Sequence, residues 1–182
     1  LAYDVADVAV LTNITEDHLG LNEVNSIEDL AFVKSLVVEA VKEEGYAVIN
    51  ADDKYSRYIL PRIKCRKIYF SMNCENPLIK KSNKEKDSIS VYVLNNEIVA
   101  SENGKIKKIA SINSIPITLN GMLEFNIENS LAACSALIAI GIDYMQIARG
   151  LKTFKLDSNF NSGRFNIFNV DGVKVVLDYG HN

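Results

Sequence analysis

His18 stands in the run Thr12-Asn13-Ile14-Thr15-Glu16-Asp17-His18-Leu19-Gly20, directly after the apolar stretch Val8-Ala9-Val10-Leu11. A short apolar run that ends in a polar, acidic loop reads as a strand delivering ligands to a site at its carboxyl end. The chain has two histidines, and the second, His181, also follows an apolar run and lies close to an acid, in Asp178-Tyr179-Gly180-His181-Asn182. A histidine beside an acid in a loop is equally an ordinary surface or capping group, so the remaining chemistry-bearing residues carry the decision.

Lys34 is the next of these. The segment Ser26 to Glu44 has helical periodicity, with Ser26 as N-cap, Asp29 as the capping-box acid and Gly45 as the stop. On a wheel of roughly 100° per residue, Leu30, Val33, Val37, Val38 and Val41 share a face, and Lys34 falls within it. Two readings stand. The aliphatic stem packs while the amine reaches water, or burial neutralises the amine and makes it a nucleophile. In the second case carbon dioxide would convert it to a carbamate, an anionic oxygen ligand suited to Mg²⁺.

Asn126 and Asn129 form a third feature, three residues apart near the start of a helix expected from Leu123 to Ile140. That spacing puts both amides on one face. They are then either caps and solvent-facing groups, or paired donors and acceptors suited to a purine edge. Arg164 and Asp178 form the fourth. An acid at a strand end accepts from ribose hydroxyls in nucleotide-binding α/β folds, and a guanidinium suits phosphate oxygens.

The elements that must position these groups alternate between strand and helix. Strands are expected at Val8–Asn13, Ala47–Asn50 and Ile68–Ser71, with an exposed charged loop over Lys80–Lys86. From Ser88 to Ile112 the pattern becomes a small antiparallel meander with turns at Asn95-Asn96 and Asn103-Gly104. Ile115–Leu119 reads as extended, Asp143–Phe154 as a helix, Asp157–Ser162 as a polar linker, and Phe165–Val170 with Val173–Leu177 as a hairpin.

Composition is that of soluble globular material for one domain or one and a fraction: 182 residues, 48% hydrophobic and 24% charged, with a net charge of −3. The acidic balance gives no electrostatic case for nucleic acid or an anionic membrane. The apolar window Leu131–Ile142 is too short to span a bilayer. Cys65, Cys74 and Cys134 make no C-x-x-C pair and fit a reducing, cytoplasmic setting. Leu1 and Asn182 read as cuts through a larger protein.

Taken in order, T-N-I-T-E-D-H-L, the helix with Val33-Lys34, Val48-Ile49-Asn50-Ala51-Asp52-Asp53, Asn126-x-x-Asn129-x-Leu131-Ala132-Ala133, Gly163-Arg164 and Asp178-Tyr179-Gly180-His181-Asn182 resemble the Mur ligase family. The resemblance implies an α/β fold: residues 1–162 are the C-terminal part of the central ATP-binding domain with its small meander, and residues 163–182 the first strands of the Rossmann-like C-terminal domain. It implies an ATP-dependent ligase that forms an amide or isopeptide bond through an acyl-phosphate. His18 and Lys34, the latter as a carbamate, would be the catalytic Mg²⁺-binding pair. Asn129, with Asn126, would contact adenine, and Arg164 and Asp178 would reach phosphates and ribose.

Asp17-His18-Leu19-Gly20-Leu21, Ile115-Pro116-Ile117-Thr118-Leu119-Asn120-Gly121 and the Asp178–Asn182 segment point to the branch that adds arginine to poly-aspartate. A muramyl-peptide ligase and a non-catalytic nucleotide-binding module of the same fold are the alternatives. The oligomeric state is left open, a homo-oligomer included. The chain departs from the family in lacking a glycine-rich phosphate loop, because Asn103-Gly104-Lys105 has no preceding glycine. The resemblance places that loop upstream of Leu1, so the chain by itself is expected to be inactive.

Overall fold

In the computed structural model, residues 5–16, 19–20, 24–159 and 161–180 are described. A six-stranded sheet runs β1 (Ala6–Leu11), β2 (Val41–Asn50), β3 (Arg66–Ser71), β4 (Ile89–Leu94), β5 (Glu97–Glu102), β6 (Lys105–Ser111), in spatial order identical to chain order. β1 to β4 pair in parallel, and β4 to β6 are antiparallel. The expected meander is therefore the far half of the main sheet, joined to it through the β3–β4 ladder. Its two turns adopt left-handed conformations at Asn95, Asn96, Asn103 and Gly104, the geometry that closes tight hairpins and that asparagine and glycine tolerate best.

Helices cover both faces. Along β2, Ala47 and Ile49 point to one side with Ala9, Leu11, Ala31 and Val38, and Val48 points to the other with Ile68, Phe70 and Val91. The first side is covered by α1 (Ile27–Glu39) and the short α2 (Ser56–Ile59), with α3 (Pro77–Ser82) over β3 and β4. On the second side lies α4 (Glu124–Ala139), which packs across β1 to β4 through Ile127, Leu131 and Cys134. α5 (Tyr144–Thr153) sits beside it, docked on the sheet edge where the Tyr144 hydroxyl donates to Glu102 at 2.5 Å. β7 (Asn166–Val170) and β8 (Val173–Leu177) form a separate hairpin.

Three expectations are corrected. α1 ends at Glu39 rather than Glu44, and Gly45 lies inside β2 instead of stopping a helix. The capping box does form: Ser26 Oγ accepts from the Asp29 amide and Asp29 accepts from the Ser26 amide. What sequence periodicity could not show is the irregular register between Ala6↔Val41 and Val8↔Tyr46, which draws Val41–Gly45 into the strand. Lys80 and Lys81 belong to α3, started by Pro77 and capped by Asn76. Ile115–Leu119 is not extended; two 3₁₀ turns, Ile112–Ser114 and Pro116–Thr118, fold it under α4.

Gly45 and Gly150 give opposite expectations. A Cβ on Gly45 would lie 2.4 Å from the Asp7 carbonyl oxygen and 2.7 Å from Val41 Cγ1, whereas one on Gly150 in α5 meets nothing within 4 Å. Gly45→Ala is expected to destabilise by about 1–3 kcal/mol through overpacking. Gly150→Ala is expected to stabilise by roughly 0.8–1 kcal/mol through helix propensity. Urea unfolding of the two variants checks the sign of each.

Candidate nucleotide-binding site

The carboxyl ends of the parallel strands are where an open α/β sheet places its ligands. Lys34 reaches this end. Its Nζ donates to the Asn13 carbonyl, 3.4 Å away, in the segment just past β1. The connection through the first turns of α1 therefore brings Lys34 back to the loop that carries His18. His18 itself, with Asp17, His181 and Asn182, lies outside the described residues. The apolar stripe expected around Lys34 is only partly formed: Leu30 and Val38 are buried, but Val33 is 45% exposed and Lys34 is half-buried. The amine thus meets a carbonyl at the protein surface and is not enclosed in an apolar pocket, which favours the packed-stem reading of this side chain.

The other four candidates meet in one cleft of ≈ 730 Å³, which Asn126, Asn129, Arg164 and Asp178 line together with Phe125, Asn161 and Phe165. The volume suits a nucleotide-sized ligand. Asn126 is buried, and its Nδ2 donates to the Ile117 carbonyl at 2.7 Å. That bond ties the first turn of α4 to the 3₁₀ segment before it. Asn129, one turn on, is exposed; its Nδ2 lies 3.5 Å from Asn126 Oδ1. Of the two amides, Asn129 has the group free to meet a ligand edge, and Asn126 holds the support.

Across the cleft, both Asp178 carboxylate oxygens already accept backbone amides, Oδ2 from Phe165 and Oδ1 from Gly180, each at 2.8 Å. Asp178 therefore clamps the turn before β7 to the segment after β8. Each oxygen keeps a further lone pair for a hydroxyl. The Arg164 guanidinium lies over the Tyr179 ring, 5.5 Å from its centroid, and stays exposed.

Several residues escaped the sequence reading. Asn166 is buried and organises the turn by accepting from the Gly163 amide at 2.7 Å and donating to the Asn161 carbonyl at 2.9 Å. Asn161 lies in the stretch read as a linker yet lines the cleft. Phe165 has φ +52°, a conformation a bulky side chain adopts only when its surroundings hold it. Here Asp178 holds the amide, and Phe125 meets the ring at 5.9 Å between centroids. The asparagines flanking Gly163-Arg164 were the available signal.

Glu128 points to the electrostatics of this end. Burial first, and then the charges of Asp52, Glu124 and Asp53, push its carboxyl above the usual range. The same interaction places the start of α4 beside the carboxyl end of β2, in a locally negative field. Among the described residues, no group of three His, Cys, Asp or Glu side chains is arranged to hold a metal ion.

A mostly parallel sheet with helices on both faces defines an open α/β domain, here with a cleft between the start of α4 and the residues around the β7–β8 hairpin. More narrowly, the model of the Mur ligase middle domain matches residues 3–137, and the chain belongs to the Mur ligase family. It is 39% identical over 182 residues to a cyanophycin synthetase from Crocosphaera subtropica, covering 100% of this chain and 21% of that protein. It is 34% identical over 148 residues to a UDP-N-acetylmuramoylalanine–D-glutamate ligase from Thermoanaerobacter, covering 81% of this chain and 29% of that one. The chain thus spans about a fifth of the length of the cyanophycin synthetase it matches.

Among solved structures, MurF from Acinetobacter baumannii superposes with a TM-score of 0.63 at 18% identity, covering 94% of this chain and 33% of that one. MurF ligase from Thermotoga maritima in complex with ADP gives 0.54 at 22% identity, covering 94% and 35%. At these identities the likeness is one of fold.

The two asparagines should separate by measurement. Asn126→Ala strands the Ile117 carbonyl and is expected to cost about 1–3 kcal/mol of stability. Asn129→Ala should leave the melting temperature close to that of the parent and weaken nucleotide binding. A thermal melt paired with an ATP titration of the full-length protein distinguishes them.

Proposed function

We propose that this chain is the nucleotide-side part of an ATP-dependent, ADP-forming carboxylate–amine ligase, and that the protein containing it adds arginine to the side-chain carboxylates of poly-aspartate, as a cyanophycin synthetase. The observation that carries this reading is the 39% identity extending over all 182 residues. A muramyl-peptide ligase is the second reading, favoured by the 34% match to the D-glutamate-adding relative, which stops at 148 residues.

A carboxylate does not acylate an amine at neutral pH, because its oxygen is a poor leaving group. Transfer of the γ-phosphoryl group of ATP to that oxygen gives an acyl-phosphate and ADP. The amine nitrogen then attacks the acyl carbon, the C–O bond to phosphate breaks, inorganic phosphate leaves, and the nitrogen loses a proton to give the amide. Enzymes accelerate such a transfer mainly by positioning and charge stabilisation.

In this reading the Asn129 amide pairs with the adenine edge, on a helix turn that Asn126 fixes through Ile117. Arg164 offers its fork to phosphate oxygens, and Asp178 keeps the Gly163–Phe165 turn in place while its spare lone pairs face the ribose. The family resemblance, rather than burial of the amine, supports Lys34 as a carbamate that with His18 would hold Mg²⁺, which would supply charge neutralisation to the transferring phosphoryl group.

Incubating the full-length protein with ATP, a poly-aspartate primer and each amino acid in turn should give ADP release with arginine. Release with a muramyl-peptide acceptor and none with arginine would move the protein to the cell-wall branch. In the same assay His18→Ala and Lys34→Ala should each lower turnover sharply, and Asn129→Ala should mainly raise the ATP requirement.

The 182-residue chain alone contains no glycine-rich phosphate loop, so it should neither hydrolyse ATP nor bind it tightly. Calorimetry yielding micromolar or tighter binding would contradict this placement of the nucleotide.

A further inference from the structure

The run Asn50-Ala51-Asp52-Asp53 closes β2 with three polar side chains whose role the nucleotide cleft does not account for. Asp52 is directed towards β3: its carboxylate accepts from Ser71 Oγ, the Met72 amide and Asn76 Nδ2. Asn50 and Asp53 turn the other way, to the segment that follows β1. Asn50 Nδ2 donates to the Thr12 carbonyl at 2.8 Å, and Asp53 Oδ2 accepts from the Ile14 amide at 2.5 Å. Both are themselves anchored. Asn50 is buried and its Oδ1 accepts from the Asp52 amide, and Asp53 Oδ1 accepts from the Tyr55 amide.

The Ile14 amide and the Asn13 carbonyl belong to one peptide unit. A trans peptide is a rigid plane whose N–H and C=O point to opposite sides, and no peptide among the described residues is cis. Asp53 grips one side of that plane, and Lys34 Nζ meets the other at the Asn13 carbonyl. A carboxylate on the N–H also polarises the peptide, making its carbonyl a better acceptor for an ammonium or amine. Asn50 fixes the preceding carbonyl, so the plane cannot swing about its neighbour.

We propose that Asp53, assisted by Asn50, is a positioning residue for Lys34: through the single peptide plane between Asn13 and Ile14 it sets where the Lys34 nitrogen sits at the carboxyl end of β1. The inference rests on the reading that Lys34 acts at the phosphate end of the nucleotide. The carboxylate of Asp53 is occupied by the Ile14 and Tyr55 amides. Its effect passes through a carbonyl.

The test is a double-mutant cycle in the full-length protein with Asp53→Ala and Lys34→Ala, assayed below the melting temperature of each variant. Asp53→Ala should lower kcat between about 10- and 100-fold, the loss a misplacement of about 1 Å produces, while the KM for ATP stays within about threefold of the parent. In the Lys34→Ala background the same substitution should cause no further loss, because the group it positions is gone.

A readout independent of turnover is the labelling of Lys34 by an amine-reactive reagent, followed by mass spectrometry. It should rise in Asp53→Ala while the other lysines keep their rates. If Asp53→Ala does not fold, Asp53→Asn retains one acceptor oxygen for two amides and should show the same pattern at smaller amplitude. Wild-type kcat in Asp53→Ala beside an inactive Lys34→Ala overturns the positioning role alone, as do equal losses in both backgrounds. Full turnover in Lys34→Ala removes the reading of Lys34, and the inference with it.

Discussion

The ladder between β1 and β2 stops at the pair Leu11 and Ile49, and every backbone polar group beyond that point needs another partner. In a parallel sheet the strands end at a common level, and their loops diverge into the space where ligands bind. Here β2 solves the problem with side chains. Asn50 takes over at Thr12, Asp53 at Ile14, and Asp52 crosses to β3. The Thr12 carbonyl and Ile14 amide, just past β1, are therefore tied to the end of β2. The peptide that Lys34 meets inherits its position from that arrangement.

The cleft at the start of α4 depends on a different device. The β7–β8 hairpin leaves apolar side chains such as Val173, Val176 and Leu177 exposed, and an isolated two-stranded hairpin is marginal in water. Polar contacts at its base hold the turn before it, and Phe125 of α4 meets Phe165. Asp178 and Asn166 thus shape the cleft wall from behind, and Arg164 is presented by the turn they hold. A residue can belong to a binding site by holding its wall as much as by touching the ligand.

Much of this was legible in the chain. The capping box at Ser26, the Asn-rich turns of the meander, and the long apolar helix closed at Gly141 are local signals. Each follows from hydrogen bonds or dihedral preferences within a few residues. That Asn126, Asn129, Arg164 and Asp178 would stand together was not written locally; only their residue types and positions in the resembling motifs named them as candidates. The failures have one cause. Gly45 looked like a helix stop because its neighbours are polar and helical in pattern, yet close approach of Asp7 and Val41 makes it a strand glycine. Val33 looked buried because periodicity counts apolar residues and cannot say which side of a helix faces a sheet.

Sequence alone determined the element types over most of the chain, the α/β class, the family, and a set of candidate site residues. Those depend on spacing and on side-chain chemistry, both of which are written locally. Only the tertiary structure decided that four of those residues share one cleft, that Asp178 spends its carboxylate on backbone amides, and that Lys34 meets the Asn13–Ile14 peptide opposite Asp53. These contacts join positions separated by 13 to 39 residues. They exist because the ladder, the crossover helix and the turn at Gly163 bring distant groups within hydrogen-bond reach, and no local pattern records that distance.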